Sequence, residues 1–322
     1  AQIKKFRPRV LLVADYSTFT ADFLKNIKRE CPFIRLVLGW CGAPYNDASV
    51  FGEWDIVLSC IPELIADFRS KGHRCFHVDH AFEPRILDKL DSAQPPSVDF
   101  AFVGSILKQS RFHIERERIL SELVRHTDLQ IWSEIKRPSF KQQRKAFVRR
   151  KASEAVAAAN NAGLPRNLIN ALPLVRRVAQ WKPTPIAEQD IDGRIARRTR
   201  PPVFGVKMFQ LLRDSRVVLN THIDVSPLSA SNMRLFEATG AGACLLTDWK
   251  ENLARLFEPD KEVLTYSSAA ECVEKIRYIL AREDERRAIA DAGQRRTLRE
   301  HNFDNRAARI DEIIRQYFAA HK

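Results

Sequence analysis

Short apolar runs that close on a polar residue or glycine, interspersed with stretches of helical periodicity, constrain this chain's fold more than any other feature. In residues 1–90 these runs are VLLVA at 10–14 before Asp15, IRLVL at 34–38 before Gly39, DIVLS at 55–59, and RCFHV at 74–78 before Asp79 and His80. Amphipathic stretches at 19–30 and 62–71 lie between them. A run apolar at successive positions suits a strand buried on both faces, and strands alternating with helices at this spacing are joined by crossovers and lie parallel. The expected fold class is α/β.

The rhythm is interrupted twice. DSAQPPS at 91–97 pairs two prolines among small polar residues, a linker signal. DFAFVGS at 99–105 then opens a new strand, with a helix at 113–126 and QIW at 130–132. Residues 136–200 lose the pattern: 152–162 and 168–180 have helical character, with KPTP at 182–185 as a loop. From Val206 it resumes with a helix at 206–214, VVLN at 217–220 and the polar turn THID at 221–224. SPLSASNMRLFEATGAGACLLTD at 226–248 follows, reading as a loop, a short helix opening on Ser231 and Asn232, a Gly-rich stop and a buried strand. Further helices are expected near 250–257, 268–281, 283–299 and 304–319, with a strand at 262–266. The organisation expected is a first domain at 1–94, a second at 98–303 with a basic helical insertion at 136–200, and a last helix at 304–322 returning to the first domain. Four strands are fewer than the roughly five or six of a full mononucleotide-type sheet. With a chain that begins at Ala1, this predicts a piece of a longer protein.

Charge enters because it is unevenly placed. The chain carries a net +13, and residues 141–200 hold 14 Lys/Arg against 4 Asp/Glu, a surplus of 10 that leaves +3 for the rest. A concentrated basic segment fits a phosphorylated substrate, an anionic membrane surface or nucleic acid, or else a solvated surface. No apolar run reaches the roughly 18 residues of a membrane span, and no long apolar stretch follows the charged AQIKKFRPRV start. The six cysteines are scattered without a CxxC pair, which predicts buried, reduced thiols rather than zinc or disulfides, and a cytoplasmic setting.

The runs ASNMRLFEATGAGACLLTD at 230–248, LFEPDKEVLTY at 256–266 and AGQRRTLREHNFDNRA at 292–307 resemble the C-terminal domain of the glycosyltransferase-B superfamily. More narrowly they are similar to its bacterial group 1 and CgeB-like branch. FHVDHAFEP at 76–84, DFAFVGSI at 99–106 and HIERERILSEL at 113–123 match the way that family enters its second domain. The resemblance covers 98–133 and 200–315 well, 1–90 in pattern only, and the basic insertion not at all. It implies two Rossmann-like domains facing across a cleft, with a nucleotide-diphosphate sugar mainly on the second and the acceptor mainly on the first. It implies neither a metal held by an acidic motif nor a cofactor: the nucleotide sugar is the donor substrate. By the same resemblance Glu237 holds the position of the glutamate that binds the donor ribose, and the last helix crosses back to the first domain. A second glutamate, expected eight positions earlier against the transferred sugar, is Ser229 here, so the sugar and the stereochemical outcome do not follow.

The residues themselves supply further candidates, each with a structural alternative. Ser231, Asn232 and Met233 open a helix whose amides suit a diphosphate or sugar, or else they simply cap it. Arg234 and Glu237 stand at i,i+3 spacing and suit either ligand binding or a mutual ion pair. Gly104 and Ser105 end the second domain's first strand, and Lys108, Arg111, Arg116 and Lys207 are candidate phosphate cations. His222 and Asp224 follow a buried strand and are catalytic candidates, as are Asp15 and Asp79 at strand ends of the first domain. Strand-end aspartates also serve turns. The function expected is transfer of a sugar from a nucleotide-diphosphate donor to a hydroxyl of a glycan, lipid-linked or protein acceptor, with 141–200 a contact for anionic membrane. The alternatives are a non-catalytic nucleotide- or sugar-binding protein on the same scaffold, and a nucleic-acid-binding protein working through 141–200.

Overall fold

The computed structural model describes residues 1–43, 45, 47–106, 113–134, 144, 147, 151, 191–224 and 226–321. The helices expected at 152–162 and 168–180, the loop at 182–185, and Lys108 and Arg111 fall outside these residues.

Two parallel sheets organise the rest. The first has four strands in sequence order: β1 (Val10–Val13), β2 (Leu36–Trp40), β3 (Ile56–Ser59) and β4 (Cys75–His77). Helix α1 (Gln2–Phe6) precedes it, while α2 (Ala21–Glu30) and α3 (Pro62–Ser70) are its crossovers. The second has six strands: β5 (Val98–Val103), β6 (Gln130–Trp132), β7 (Thr199–Arg200), β8 (Ser215–Asn220), β9 (Cys244–Asp248) and β10 (Leu264–Tyr266). Their spatial order is β10-β9-β8-β5-β6-β7, all parallel. The fully described helices of this half are α4 (Ile114–His126), α5 (Gly193–Arg198), α6 (Val206–Arg213), α7 (Arg234–Gly240), α8 (Leu253–Leu256), α9 (Ala269–Leu280) and α10 (Glu283–Glu300). Helix α11 (Phe303–Ala320) is the last element.

The apolar runs are continuous because both faces of each sheet are covered. In the second sheet Phe100, Phe102, Val217, Leu219, Cys244 and Leu246 face one core with α4 and α9. The alternate residues Ala101, Val103, Val218 and Leu245 face the other with α6 and α7. In the first sheet Val13, Val37 and Val57 pack on Leu24 of α2 and Phe68 of α3. Leu36, Leu38, Ile56 and Leu58 pack instead on Ile313 of α11. All six cysteines are free and buried. Three of these elements are not among the sequence expectations: α1, and α5 and β7, which bring the βα pattern back at Gly193, ahead of Val206. Thr199 and Arg200 pair with Ile131 and Trp132, too short a strand to leave a periodic trace.

The chain passes between the halves at two adjoining places. After β4 it runs into Phe82, which forms a parallel bridge with Asn302 just before α11. The Phe82 amide donates to His301 O at 2.8 Å, and the Phe303 amide donates to Phe82 O at 3.1 Å. The Phe82 ring lies on Gly240 at the end of α7, where an added Cβ would stand 2.3 Å from the ring. Gly240→Ala is therefore expected to destabilise the fold by about 2–3 kcal/mol despite alanine's better helix propensity. Denaturant unfolding measures it, and a variant as stable as the parent contradicts this packing.

Candidate active site

Strand order in the second sheet reverses between β5 and β8: the chain moves outward through β6 and β7 on one side, then through β9 and β10 on the other. Ligands of open α/β sheets bind at such a reversal, outside the carboxyl ends of the strands. Here those ends are Gly104–Ser105 and Thr221–His222.

Arg116 of α4 ties them together. Its Nη1 donates to Ser105 O (2.8 Å) and to His113 Nε2 (3.1 Å), its Nη2 to Thr221 O (2.7 Å), and its Nε to Thr221 Oγ1 (3.1 Å). Burial lowers its pKa to about 10, so it remains charged at neutral pH. Burial, with the Arg116 charge, lowers His113 to about 4, consistent with the acceptor role of its ring. The guanidinium expected as a phosphate cation is thus engaged by the protein.

Beyond β8 a hydrogen-bonded network fixes the polar side chains. Asn220 Nδ2 donates to Thr247 Oγ1 at 2.9 Å, and Asn232 Nδ2 donates to Asn220 Oδ1 at 2.7 Å. His222 is clamped by the carboxylate at the end of β9: its amide donates to Asp248 Oδ1 at 3.0 Å, and its Nδ1 lies 2.7 Å from the same oxygen. An ionised carboxylate only accepts, so Nδ1 carries a proton, and whenever the ring is neutral Nε2 is the nitrogen that keeps its lone pair. Lys250 Nζ stands 3.3 Å from Asp248 Oδ2 and donates to Pro227 O. Burial pushes the Asp248 carboxyl up, but the electrostatic pull of His222, its hydrogen bonds and Lys250 outweigh this and leave the pKa below the usual value.

Two acceptors of this network are left over. His222 Nε2 and Asn232 Oδ1 are both buried without a hydrogen-bond partner. An unmet buried acceptor costs about 1–3 kcal/mol, a penalty that a ligand's hydroxyl or N–H would relieve.

Several expected roles change. Helix α7 begins at Arg234, not at Ser231 or Asn232, its N-cap is Met233, and no side chain caps it. Asn232 binds back to β8, Ser231 donates to Ser226 Oγ within the loop, and Met233 is exposed. The reason is local: Ser226, Ser229, Ser231 and Asn252 bond one another's loop groups and hold 226–231 out of the helix. Ser229 is buried in that loop. Arg234 donates from Nε to Val103 O at 3.1 Å and pairs with Glu237 at 2.8 Å, fixing that carboxylate beside the end of β5. Asp224 accepts from the Ile114 amide at 2.8 Å and so caps α4. Lys207 is exposed in the first turn of α6.

The first sheet's carboxyl edge faces this site: the Leu228 amide donates to Glu63 Oε1 at the start of α3 (3.3 Å), and Glu63 Oε2 is buried without a partner. Asp15 and Asp79 lie on the same edge but at opposite ends of the sheet, three strand spacings or roughly 14 Å apart. Asp15 accepts from Ser17 and Thr18 in an exposed turn, and these bonds hold its pKa down to about 2, far from that of a base at neutral pH. Asp79 stands 3.4 Å from His77 Nε2. Among the described residues no three His, Cys, Asp or Glu side chains converge as metal ligands would.

A family model described as glycosyl transferase-like matches residues 85–312, well over half of the chain. The chain belongs to that family. Solved structures extend the likeness across both halves of this glycosyl transferase-like chain. Sucrose-phosphate synthase from Thermosynechococcus elongatus superposes with a TM-score of 0.60 at 12% identity, covering 99% of this chain and 76% of that one. HepE from Anabaena, in complex with UDP and glucose, gives 0.57 at 10% identity, covering 98% and 80%. A UDP-forming trehalose-phosphate synthase from Burkholderia xenovorans gives 0.54 at 13% identity, covering 96% and 75%. At such identities the likeness is one of fold, the GT-B arrangement of two parallel-sheet halves. A comparison with the curated proteins finds no match.

Asp248, Lys250, Asn220 and Glu63 were not among the candidates. Asp248 carried a usable signal, since it closes an apolar strand as Asp15 and Asp79 do, but its pairing with His222 across 26 positions leaves no spacing to read.

Proposed function

We propose that this protein moves a sugar from a nucleotide-diphosphate donor to a hydroxyl of a glycan, lipid-linked or protein acceptor. The observation that carries the reading is the pair of unpartnered buried acceptors at the strand reversal, one of them on a histidine oriented by Asp248. An imidazole nitrogen with its lone pair free suits taking the proton of an attacking hydroxyl. Glu237, tethered through Arg234 to the end of β5, suits the ribose hydroxyls. HepE, solved with UDP and glucose, supports the donor class. The reading needs no protein-bound metal or cofactor. The CgeB-like kinship rests on the runs at 230–248, 256–266 and 292–307. No helix among the described residues is long and apolar enough to cross a membrane, and peripheral contact of 141–200 with the inner membrane face belongs to this reading.

A thermal-shift panel of UDP, GDP, ADP, CDP and dTDP, each with and without its sugar, tests it, because a ligand of the folded state raises the melting temperature. One nucleotide is expected to stabilise the protein, and Glu237→Ala to remove most of that shift. Binding with no turnover of donor would favour a non-catalytic role. A panel with no shift at all removes the donor site.

A further inference from the structure

The carboxyl edge of the first sheet carries a cavity of about 320 Å³ that the donor site does not use. It lies between the loop after β1 and the loop after β2. Tyr16, Phe19 and Tyr45 supply aromatic walls, and Ser17, Thr20 and Asp47 supply polar ones.

The aromatic walls are fixed from below and behind. Tyr16 and Tyr45 both pack on the buried Phe51, with ring centroids at 6.0 and 4.6 Å. The Tyr16 hydroxyl donates to Ala43 O at 3.3 Å. The Tyr45 hydroxyl donates to Asp67 Oδ2 at 2.9 Å and accepts from Lys71 Nζ at 3.1 Å. Phe19, just before α2, stacks at 5.3 Å on Phe23 in its first turn, and the two residues stay 36% and 45% exposed. Ordered rings at a solvent-reached surface give up little conformational entropy when covered. On the polar side, Thr20 accepts from the Phe23 amide at 3.2 Å, which leaves its hydroxyl proton to donate. Asp47 accepts from the Ser49 amide, and the bonds to Ser49 hold its pKa below the usual carboxylate range, so it presents an ionised acceptor.

Aromatic faces, a hydroxyl donor and a carboxylate acceptor around a cavity at the lower end of ligand-pocket volumes suit a compact ring with one apolar face and a rim of hydroxyls. A pyranose has that shape and chemistry. The cavity is also correctly placed. Glu63, at the start of the α3 that follows β3, touches the loop beyond β8, and β3 is one to two strand spacings away, roughly 5–10 Å. We propose that this cavity binds a pyranose ring of the acceptor, an inference that rests on the sugar-transfer reading and narrows its acceptor to a saccharide.

Saturation-transfer NMR tests this without catalysis, using glucose, galactose, mannose, N-acetylglucosamine and their disaccharides at millimolar concentration. At least one is expected to receive magnetisation from the wild-type protein. Phe19→Ser, a change at an exposed position, and Tyr45→Ser are expected to abolish the signal while leaving the nucleotide-induced thermal shift at its wild-type value. With an active acceptor in hand, Phe19→Ser should raise the acceptor KM at least tenfold and leave donor hydrolysis unchanged. The inference is overturned if no saccharide binds the wild type, if both variants bind as it does, or if only nucleotides give a signal that these changes remove. A protein that binds saccharides through this cavity and no nucleotide keeps the cavity and loses the transfer reading. One that binds nucleotide and no saccharide does the reverse.

Discussion

Arg306→Ala is expected to remove about 3 kcal/mol or more of folding stability. The guanidinium sits where the chain crosses between the halves. Its Nε donates to Asp79 O and His80 O at 3.1 Å each, its Nη1 to Glu300 O at 3.1 Å, and its Nη2 to His301 Nδ1 at 3.0 Å. Truncation leaves four acceptors in a half-buried seam without their donor, and each unmet buried group costs about 1–3 kcal/mol, discounted here for partial access of water. Lysine keeps the charge but not the planar fork, so Arg306→Lys should recover less than half of the loss. Denaturant unfolding of the three proteins decides the matter, and a loss below about 1 kcal/mol, or full rescue by lysine, contradicts the assignment. The same seam carries a pH signature. Burial lowers the His80 pKa from 6.5 to about 4, against a smaller upward pull from Asp79. Above pH 6.5 the ring is neutral folded or unfolded, so the stability is fully present. As pH falls from 6.5 towards 4 the unfolded chain takes up a proton that the folded one refuses, and stability declines. His80→Gln should remove its share of that decline, leaving those of His113 and His301 in place.

Asp248→Asn is expected to lower kcat for sugar transfer by about 100- to 10,000-fold, the range that a positioned proton acceptor contributes. The carboxylate takes both the His222 amide and Nδ1 and faces Lys250, so it sets which ring nitrogen is protonated as well as where the ring lies. An amide supplies one acceptor and one donor in place of two acceptors, which frees the ring to turn over and leaves Lys250 without its counter-charge. Nucleoside-diphosphate binding should be unaffected, because the ribose contact assigned to Glu237 belongs to a different strand end. His222→Gln should show the same separation. Near-normal kcat in either variant would make the His222–Asp248 pair an anchor of the loop rather than part of the chemistry.

The strands and crossovers could be read closely from the sequence because parallel strands buried on both faces leave apolar runs, as at 55–59 and 217–220. Helix α11 was readable through its spacing and the polar Asn302 that caps it. The site was less so. Glu237 and His222 could be singled out by their place after strands and within a motif, yet what each bonds to depends on residues distant in the chain: Arg234 reaches back to Val103, and Asp248 reaches His222 from the neighbouring strand. Asp224 and Asp15 look alike in sequence to Asp248. Only the fold separates them, by giving Asp224 a helix to cap and Asp15 its own turn. The start of α7 was misjudged for a related reason, since Ser231 and Asn232 are good capping residues and the loop's internal bonds outcompete that preference.

The covering of the first sheet by α11 has a consequence for biosynthesis. Leu36, Leu38, Ile56 and Leu58 form one face of the first sheet, and the residues that seal it, Ile313 with Ile310, Ile314, Tyr317 and Phe318, leave the ribosome only after the whole second sheet has been made. Throughout elongation of the second half that apolar face stays open, and a nascent chain halted before α11 would present it to chaperones or to other nascent chains. Helix α11 therefore decides when the first sheet stops being adhesive.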